Sequence, residues 1–166
     1  MIDLRQHIRD VPDFPSPGIL FRDIAPLLRN HFAATIDALS NLLASQQWQS
    51  IDAIAGIESR GFILAAALAQ RHGKGFVPIR KKGKLPPPVL DRAYDLEYGS
   101  AVLEMQPGQG GLLIVDDVLA TGGTLRAAAE LCTQAGYEVL QLAVLIDLRL
   151  TPFRWRDFTV ATVIQY

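Results

Sequence analysis

The segment Leu112-Leu113-Ile114-Val115-Asp116-Asp117-Val118-Leu119-Ala120-Thr121-Gly122-Gly123-Thr124 decides the predicted fold of this chain. Its apolar start predicts a buried strand, and two adjacent carboxylates follow at the carboxyl end of that strand. Small residues then lead into a predicted helix over 124–134. A loop that opens a helix binds phosphate through its backbone N–H groups and the positive helix end, while carboxylates suit hydroxyl groups and a divalent cation. The segment therefore predicts a ligand that is both a sugar and a phosphate.

Two common phosphate-binding motifs do not match this segment. No Gly-x-Gly-x-x-Gly follows the strand, and no Gly-Lys-Ser/Thr closes the loop. An ordinary strand-to-helix turn would account for the glycines and the threonine. It would not account for Asp116 and Asp117 side by side, because paired carboxylates repel each other and need donors or a metal. We therefore favour the functional interpretation.

Strand and helix patterns alternate along the rest of the chain. They predict strands at 53–57, 76–79, 139–146 and 159–164, helices at 1–10, 33–47 and 60–71, and a basic, proline-rich loop at 81–94. This alternation predicts an α/β fold, an open and mainly parallel twisted sheet flanked by helices. Ligands bind such sheets beyond the carboxyl ends of the strands. The polar residues at 58–60, 80–81 and 116–117 are expected to converge there.

The composition indicates one folded domain with a full core. The chain has 166 residues, of which 49% are hydrophobic, and a net charge of −1. These values exclude a disordered chain and a broadly basic nucleic-acid surface, so an anionic substrate needs locally placed basic residues. Cys132 is the only cysteine, which excludes an intrachain disulfide. The longest apolar run, at 62–69, is too short to span a membrane, and the first ten residues lack the apolar core of a signal peptide. We expect a cytoplasmic protein without nucleic-acid or membrane partners.

The residues 115–124 resemble the phosphoribosyl pyrophosphate (PRPP) motif of the type I phosphoribosyltransferases, in the form found in members that act on adenine. Four more segments match that family in its order, at 13–24, 58–62, 80–86 and 96–99, so that the resemblance covers about residues 11–148. It implies a single domain over 1–166 with the type I fold, a small N-terminal hood at 1–32 and a mobile lid loop at 81–99. The segment 104–111 is shorter than expected, and the chain after Leu150 does not align clearly.

The resemblance implies an activity with its ligands. The expected reaction transfers the 5-phosphoribosyl group from PRPP to adenine, giving AMP and pyrophosphate in purine salvage. Mg²⁺ is the implied cofactor, and a homodimer is the implied assembly.

The same resemblance assigns residues to the PRPP side of the site. The phosphate loop, which would bind the 5′-phosphate, consists of Ala120, Thr121, Gly122, Gly123 and Thr124. The acidic pair Asp116 and Asp117 would bind the ribose hydroxyls, directly or around Mg²⁺. Pyrophosphate would be bound by Glu58, Ser59, Arg60, Arg80, Lys81 and Lys84. The peptide between Glu58 and Ser59 is expected to be cis.

The base side of the site is assigned by resemblance as well. Leu20, Phe21 and Arg22 would form the adenine pocket, with Phe21 stacked on the purine and Leu148 on the opposite wall. Glu97 would exchange a proton with the purine N7, and Tyr98 would pack over the reacting groups. From the residues alone, a loop carboxylate such as Glu97 is usually an ordinary loop charge, and Phe21 could be a core residue of the hood segment.

Two alternatives remain open at this point. One is a phosphoribosyltransferase for a different purine; relatives of the hypoxanthine type carry an acid where this chain has Ala120, which argues against an oxopurine. The other is a regulator that senses PRPP without catalysis. Such a protein would normally carry an added nucleic-acid-binding segment, and no spare domain or basic face is evident in the sequence.

Overall fold

A seven-stranded sheet forms the centre of the computed structural model, which describes residues 2–96 and 99–166. Its strands are β3 (Ala53–Ile57), β4 (Gly75–Lys81), β5 (Leu90–Asp95), β6 (Ser100–Met105), β7 (Gly110–Leu119), β8 (Tyr137–Asp147) and β9 (Ala161–Gln165). They lie in the order β5-β6-β4-β3-β7-β8-β9. The five adjacent strands β4, β3, β7, β8 and β9 are parallel to one another. The predicted open, mainly parallel sheet is confirmed.

Helices cover both faces of this sheet. They are α1 (Ala25–Ser40), α2 (Ser45–Ser50), α3 (Arg60–His72) and α4 (Gly123–Gln134). Alternate residues of β7 separate two cores: Leu113 and Val115 pack with α1 and α3, whereas Leu112 and Ile114 pack with α4. Because both faces are buried, the strand is a continuous apolar run, as expected for a parallel strand between helices. No helix in the described ranges is long and apolar enough to span a membrane.

The segment predicted as the hood contains a second, two-stranded antiparallel sheet of β1 (Arg9–Val11) and β2 (Phe21–Asp23). The predicted helix at 1–10 is wrong, because only Leu4–His7 forms a short 3₁₀ helix. The Asp3 side chain caps this turn by accepting a hydrogen bond from the Arg5 backbone N–H, at 3.1 Å. The chain then pairs with β2 instead of continuing as a helix.

The predicted helix at 33–47 is also wrong in its bounds. α1 begins at Ala25, with a proline in its first turn, and the chain turns after Ser40 before α2 begins at Ser45. Proline is tolerated in a first turn because the N–H groups there have no helical partner. The break after Ser40 brings the Trp48 indole N–H to the Ser40 carbonyl, at 3.0 Å, so that Trp48 is buried.

The predicted loop at 81–94 is replaced in part by strands. β4 continues to Lys81, and β5 and β6 form an antiparallel pair whose inner strand β6 pairs with β4. The exposure of β5 alternates residue by residue, with Leu90, Arg92 and Tyr94 turned inward. Period-two alternation is the pattern of a half-buried strand. This hairpin extends the parallel sheet on the side where the basic residues lie.

Candidate active site

The phosphate loop connects the end of β7 to the start of α4. Gly122 lies at the N-terminus of α4 with φ +91°, a left-handed conformation that favours glycine. A Cβ atom at this position would lie 2.1 Å from the Phe153 ring. The Thr151 hydroxyl donates a hydrogen bond to the Thr121 carbonyl, at 3.1 Å. The chain that follows β8 therefore packs against this loop and supports it.

A cavity of about 350 Å³ opens in front of this loop. All five predicted phosphate-loop residues line it, together with Asp116 of the acidic pair and Leu150. A larger cavity of about 590 Å³ lies between the 3₁₀ helix, α1 and β9, and it shares no lining residue with the first. We assign the site to the smaller cavity, because it combines a helix N-terminus, an acidic side chain and the carboxyl end of a strand.

The acidic pair lies near the carboxyl end of β7. Desolvation, followed by the charge of Asp117, raises the pKa of Asp116 well above its ordinary value. The Asp117 backbone N–H donates to Asp116 Oδ1 at 2.9 Å, which opposes this shift. Asp117 is buried, and its Oδ2 atom accepts no hydrogen bond. The pair is thus held in an electrostatically unfavourable arrangement, typical of a functional site.

Arg60 joins the acidic pair to the loop after β3. Its Nε atom lies 2.7 Å from Asp117 Oδ2, an ion pair without hydrogen-bond alignment. The next residue is glycine because a Cβ at Gly61 would lie 2.9 Å from the Val115 carbonyl oxygen. The start of α3 is therefore pressed against the end of β7. The peptide between Glu58 and Ser59 is cis, as expected.

Glu58 connects this loop to the basic residues at the end of β4. Its carboxylate accepts hydrogen bonds from the Lys81 backbone N–H at 2.9 Å and from Arg80 Nε at 3.3 Å. The Lys81 N–H, aided by the Arg80 charge, holds the pKa of Glu58 below its ordinary value. Lys81 and Lys84 are exposed. Hydrogen bonds thus connect Glu58 with Arg80 and Lys81, whereas Arg60 pairs with Asp117.

The hood reaches this network through Phe21. The Arg60 guanidinium carbon lies 4.9 Å from the centre of the Phe21 ring, and Phe14 packs edge-on against the same ring at 5.1 Å. Phe21 is only partly buried, so it is not an ordinary core residue. The guanidinium carbon of Arg22 lies 3.7 Å from the centre of the Tyr166 ring, and Arg22 pairs with Asp10 across the two-stranded sheet.

The remaining predicted site residues are Leu148, Glu97 and Tyr98. Leu148 lies just beyond β8, where its backbone N–H donates to the Leu119 carbonyl at 3.0 Å, and its side chain is half-buried against the core. Glu97 and Tyr98 lie outside the described residues. Their neighbours Asp95 and Leu96 line the phosphate-loop cavity.

Three residues at or near the site escaped sequence reasoning. Thr151 and Phe153 support the phosphate loop from a segment whose sequence carries no pattern. Glu104 is 3% exposed and hydrogen-bonds three backbone N–H groups at 83–85. The sequence offered no signal for Glu104, because alternation along a strand places it on the opposite face from the apolar residues Leu103 and Met105.

The fold and this site are those expected of a phosphoribosyltransferase, and comparison with known families agrees. A phosphoribosyl transferase domain model matches residues 27–164. An adenine phosphoribosyltransferase from Bdellovibrio bacteriovorus is 55% identical, over 99% of this chain and 100% of its own. The chain belongs to the phosphoribosyltransferase family, within its adenine phosphoribosyltransferase branch.

Solved structures support the same placement. The adenine phosphoribosyltransferase from Thermoanaerobacter pseudethanolicus has a TM-score of 0.90 and 39% identity, covering 99% of this chain and 98% of its own. The enzyme from Saccharomyces cerevisiae, solved with an iminoaltritol bisphosphate and adenine, has a TM-score of 0.82 and 41% identity, covering 88% and 87%. The type I fold predicted from the sequence is confirmed.

Proposed function

We propose that this chain transfers the 5-phosphoribosyl group of PRPP to adenine and releases AMP and pyrophosphate. One observation carries this proposal: the phosphate loop at the start of α4 and the carboxylate of Asp116 line the same cavity. The family relationship, which extends over nearly the whole chain, supports the same proposal. The reaction is one step of purine salvage.

The phosphate loop binds the 5′-phosphate in this proposal. Its backbone N–H groups and the start of α4 supply donors and a positive potential, and Thr121 and Thr124 add hydroxyl groups. The acidic pair binds the ribose hydroxyls as acceptors. Negative charge beside the sugar also favours the positive charge that develops on it in an oxocarbenium-like transition state.

The leaving pyrophosphate is bound on the other side of the sugar. Arg60, Arg80, Lys81 and Lys84 carry the positive charge for it, and the backbone of Glu58 and Ser59 lies beside them. Arginine is suited to this task because its planar guanidinium donates two parallel hydrogen bonds to phosphate oxygens. Stabilising the charge that accumulates on pyrophosphate lowers the barrier to breaking the bond at C1.

The acidic pair fits a Mg²⁺ ion that is shared with the substrate. Asp116 lines the cavity beside the phosphate loop, and Asp117 adds a second carboxylate, whose Oδ2 atom is paired with Arg60 in this structure. Mg²⁺ is commonly bound by one or two carboxylates together with substrate phosphates. The described residues contain no cluster of three or more His, Cys, Asp or Glu suited to a protein-only site. When bound, Mg²⁺ neutralises charge on the pyrophosphate; Asp116 and Asp117 are the residues that would hold it.

Adenine binds between the hood and the end of β8 in this proposal. Phe21 stacks on the purine, the backbone of Leu20 and Arg22 reads its amino-bearing edge, and Leu148 lines the opposite wall. Main-chain N–H and C=O groups complement the donor and acceptor of adenine without a special side chain. Glu97 exchanges a proton with N7 while N9 attacks, and Tyr98 shields the reacting groups from water. The segment 81–99 acts as the lid.

The oligomer and location also belong to this proposal. We propose a homodimer in the cytoplasm. Ile63 and Phe76 remain 45% and 40% exposed, and Phe76 packs against Phe62 at the start of α3. Exposed apolar side chains on neighbouring elements are a common feature of an interface between subunits.

The test is a panel of bases. Pyrophosphate release from PRPP and Mg²⁺ is measured with adenine, hypoxanthine, guanine, xanthine and orotate in parallel. Turnover with adenine alone supports the proposal. Turnover with an oxopurine keeps the PRPP site and overturns the adenine pocket, whereas tight PRPP binding without any turnover favours a PRPP sensor.

Phe21→Ala should raise the KM for adenine about tenfold, because the loss of one base–aromatic stack is worth about 1–3 kcal/mol. The KM for PRPP should change little. Phe14→Ala is the matched control, since Phe14 touches the same ring and is 51% exposed. A variant that only unfolds at lower temperature, with its KM for adenine unchanged, would return Phe21 to a structural role.

Gly122→Ala should raise the KM for PRPP about tenfold, since left-handed backbone costs an alanine about 1–2 kcal/mol and its Cβ would meet Phe153. Gly73→Ala is the matched control. Gly73 also has a positive φ, of 61°, but its Cβ would have no atom within 4 Å, and it ends α3 far along the chain from the loop. An equal effect of both changes on the KM for PRPP would contradict the role of the loop.

A further inference from the structure

Glu104 is a buried carboxylate that the proposed mechanism does not use. It lies on β6, directly opposite Arg80 in the antiparallel pairing with β4, and it is 3% exposed. Its Oε1 atom accepts hydrogen bonds from the backbone N–H groups of Lys84 and Leu85, each at 2.6 Å. Its Oε2 atom accepts one from Gly83, at 3.0 Å. A buried charge in the native state requires such partners.

These three hydrogen bonds set the path of the basic segment, residues 80–85. Charge-assisted hydrogen bonds are about twice as strong as neutral ones, and three from consecutive residues fix a turn. Gly83, in the middle of this turn, has φ +87°. Arg80 Nη1 also lies 3.5 Å from the Lys84 carbonyl, so the side chain of Arg80 follows the same turn.

Two carboxylates thus hold the basic segment, one at each end. Glu58 accepts from Lys81 and Arg80 at the start, and Glu104 accepts from 83–85 at the end. The backbone N–H groups, that of Gly83 foremost, hold the pKa of Glu104 below its ordinary value. The carboxylate therefore stays ionised across the neutral range, so both of its oxygens can accept hydrogen bonds from the backbone N–H groups of the turn.

We propose that Glu104 is a positioning residue for pyrophosphate binding, because its buried carboxylate holds the turn that presents Arg80 and Lys84 to the ligand. It touches no substrate and acts through the backbone of the basic segment. This inference rests on the proposed function, in which Arg80 and Lys84 bind the leaving pyrophosphate. It extends that function to a residue on a different strand.

Glu104→Gln tests this inference, since an amide keeps the size of the side chain but replaces one acceptor oxygen with a donor. The KM for PRPP and the inhibition constant of pyrophosphate should both rise about tenfold, the equivalent of about 1.4 kcal/mol. The KM for adenine should stay at its wild-type value, because the proposed adenine pocket contacts Arg60 through Phe21 and not the turn at 83–85. A purely structural role would not separate the two substrates.

Asp52→Asn is the matched control. Asp52 also accepts a backbone N–H, that of Gly111 at 2.7 Å, but at the opposite end of β7 from the acidic pair. It should lower the unfolding temperature without changing either KM. Glu104→Asp is the second variant, for use if the glutamine variant does not fold; its shorter side chain keeps the charge but cannot reach all three N–H groups.

The outcomes separate this inference from the proposed function. Wild-type protein that does not convert adenine and PRPP overturns the proposed function first. Active wild-type protein, together with a wild-type KM for PRPP in every folded Glu104 variant, overturns the positioning role alone. An equal rise in both KM values also overturns it, because the effect would then be general.

Discussion

The double variant Asp116→Asn, Asp117→Asn should lose Mg²⁺-dependent PRPP binding, with a dissociation constant raised about a hundredfold or more. Hydrogen bonds that involve a charged group are worth about 1.5–3 kcal/mol each, and this change removes both carboxyl groups from the site. Titration calorimetry with PRPP in the presence of Mg²⁺ measures the loss directly. Unchanged binding would remove the acidic pair from the ribose and metal site.

The structure predicts that the single change Asp116→Asn stabilises the folded protein, although it weakens PRPP binding. Burial and the neighbouring Asp117 raise the pKa of Asp116 in the folded state above its value in the unfolded chain. At a pH above its pKa in the unfolded chain, such a carboxyl group destabilises the fold, because the unfolded state releases the proton more readily. The neutral Asn lacks this penalty, so the unfolding temperature at pH 7 should rise while PRPP binding falls.

Asp147→Asn is the matched control for the acidic pair. Asp147 ends β8 next to the site, and its side chain accepts a hydrogen bond from the Arg149 backbone N–H, at 2.8 Å. It should leave PRPP binding intact and should not raise the unfolding temperature. A loss of PRPP binding in this variant as well would point to a general disturbance of the strand ends.

Glu97→Gln should lower kcat about 10²–10⁴-fold, the usual contribution of a general acid or base, and should leave the KM for PRPP near its wild-type value. The amide keeps the size of the side chain but does not exchange a proton with N7. Steady-state kinetics with adenine and PRPP separate the two constants, and the pH profile of kcat should lose one limb.

Glu138→Gln controls for the loss of one negative charge, because Glu138 is exposed at the opposite end of β8. It should keep the wild-type kcat. A near wild-type rate in Glu97→Gln would remove Glu97 from the chemistry and return it to an ordinary loop charge. The proton exchange would then belong to another group or to water.

Local patterns were sufficient where one segment determines its own structure. The apolar run before Asp116 predicted β7 because a parallel strand buried on both faces has no polar residue to interrupt it. The small residues after it predicted the loop and α4 because Gly122 needs a left-handed backbone. The carboxyl ends of β3, β4 and β7 then converge by topology alone.

The remaining features depend on contacts between distant segments. β5 and β6 were missed because prolines and lysines precede them, although the alternation over Leu90–Asp95 was a readable signal. Glu104 acquires its role only when β6 pairs with β4 and the turn at 83–85 folds over it. Phe153 approaches Gly122 from a segment that no periodicity describes.

The ion pairs of Arg60 with Asp117 and of Arg80 with Glu58 have a kinetic consequence. Both cations already have counter-charges within the protein, and the chain has a net charge of −1. These two arginines therefore contribute little long-range attraction to an approaching polyanion. In the proposed function, ligand phosphates replace the two carboxylates as partners of Arg60 and Arg80 after contact. We therefore expect a small monoanion, which lacks the second charge needed to displace both, to bind more weakly than pyrophosphate.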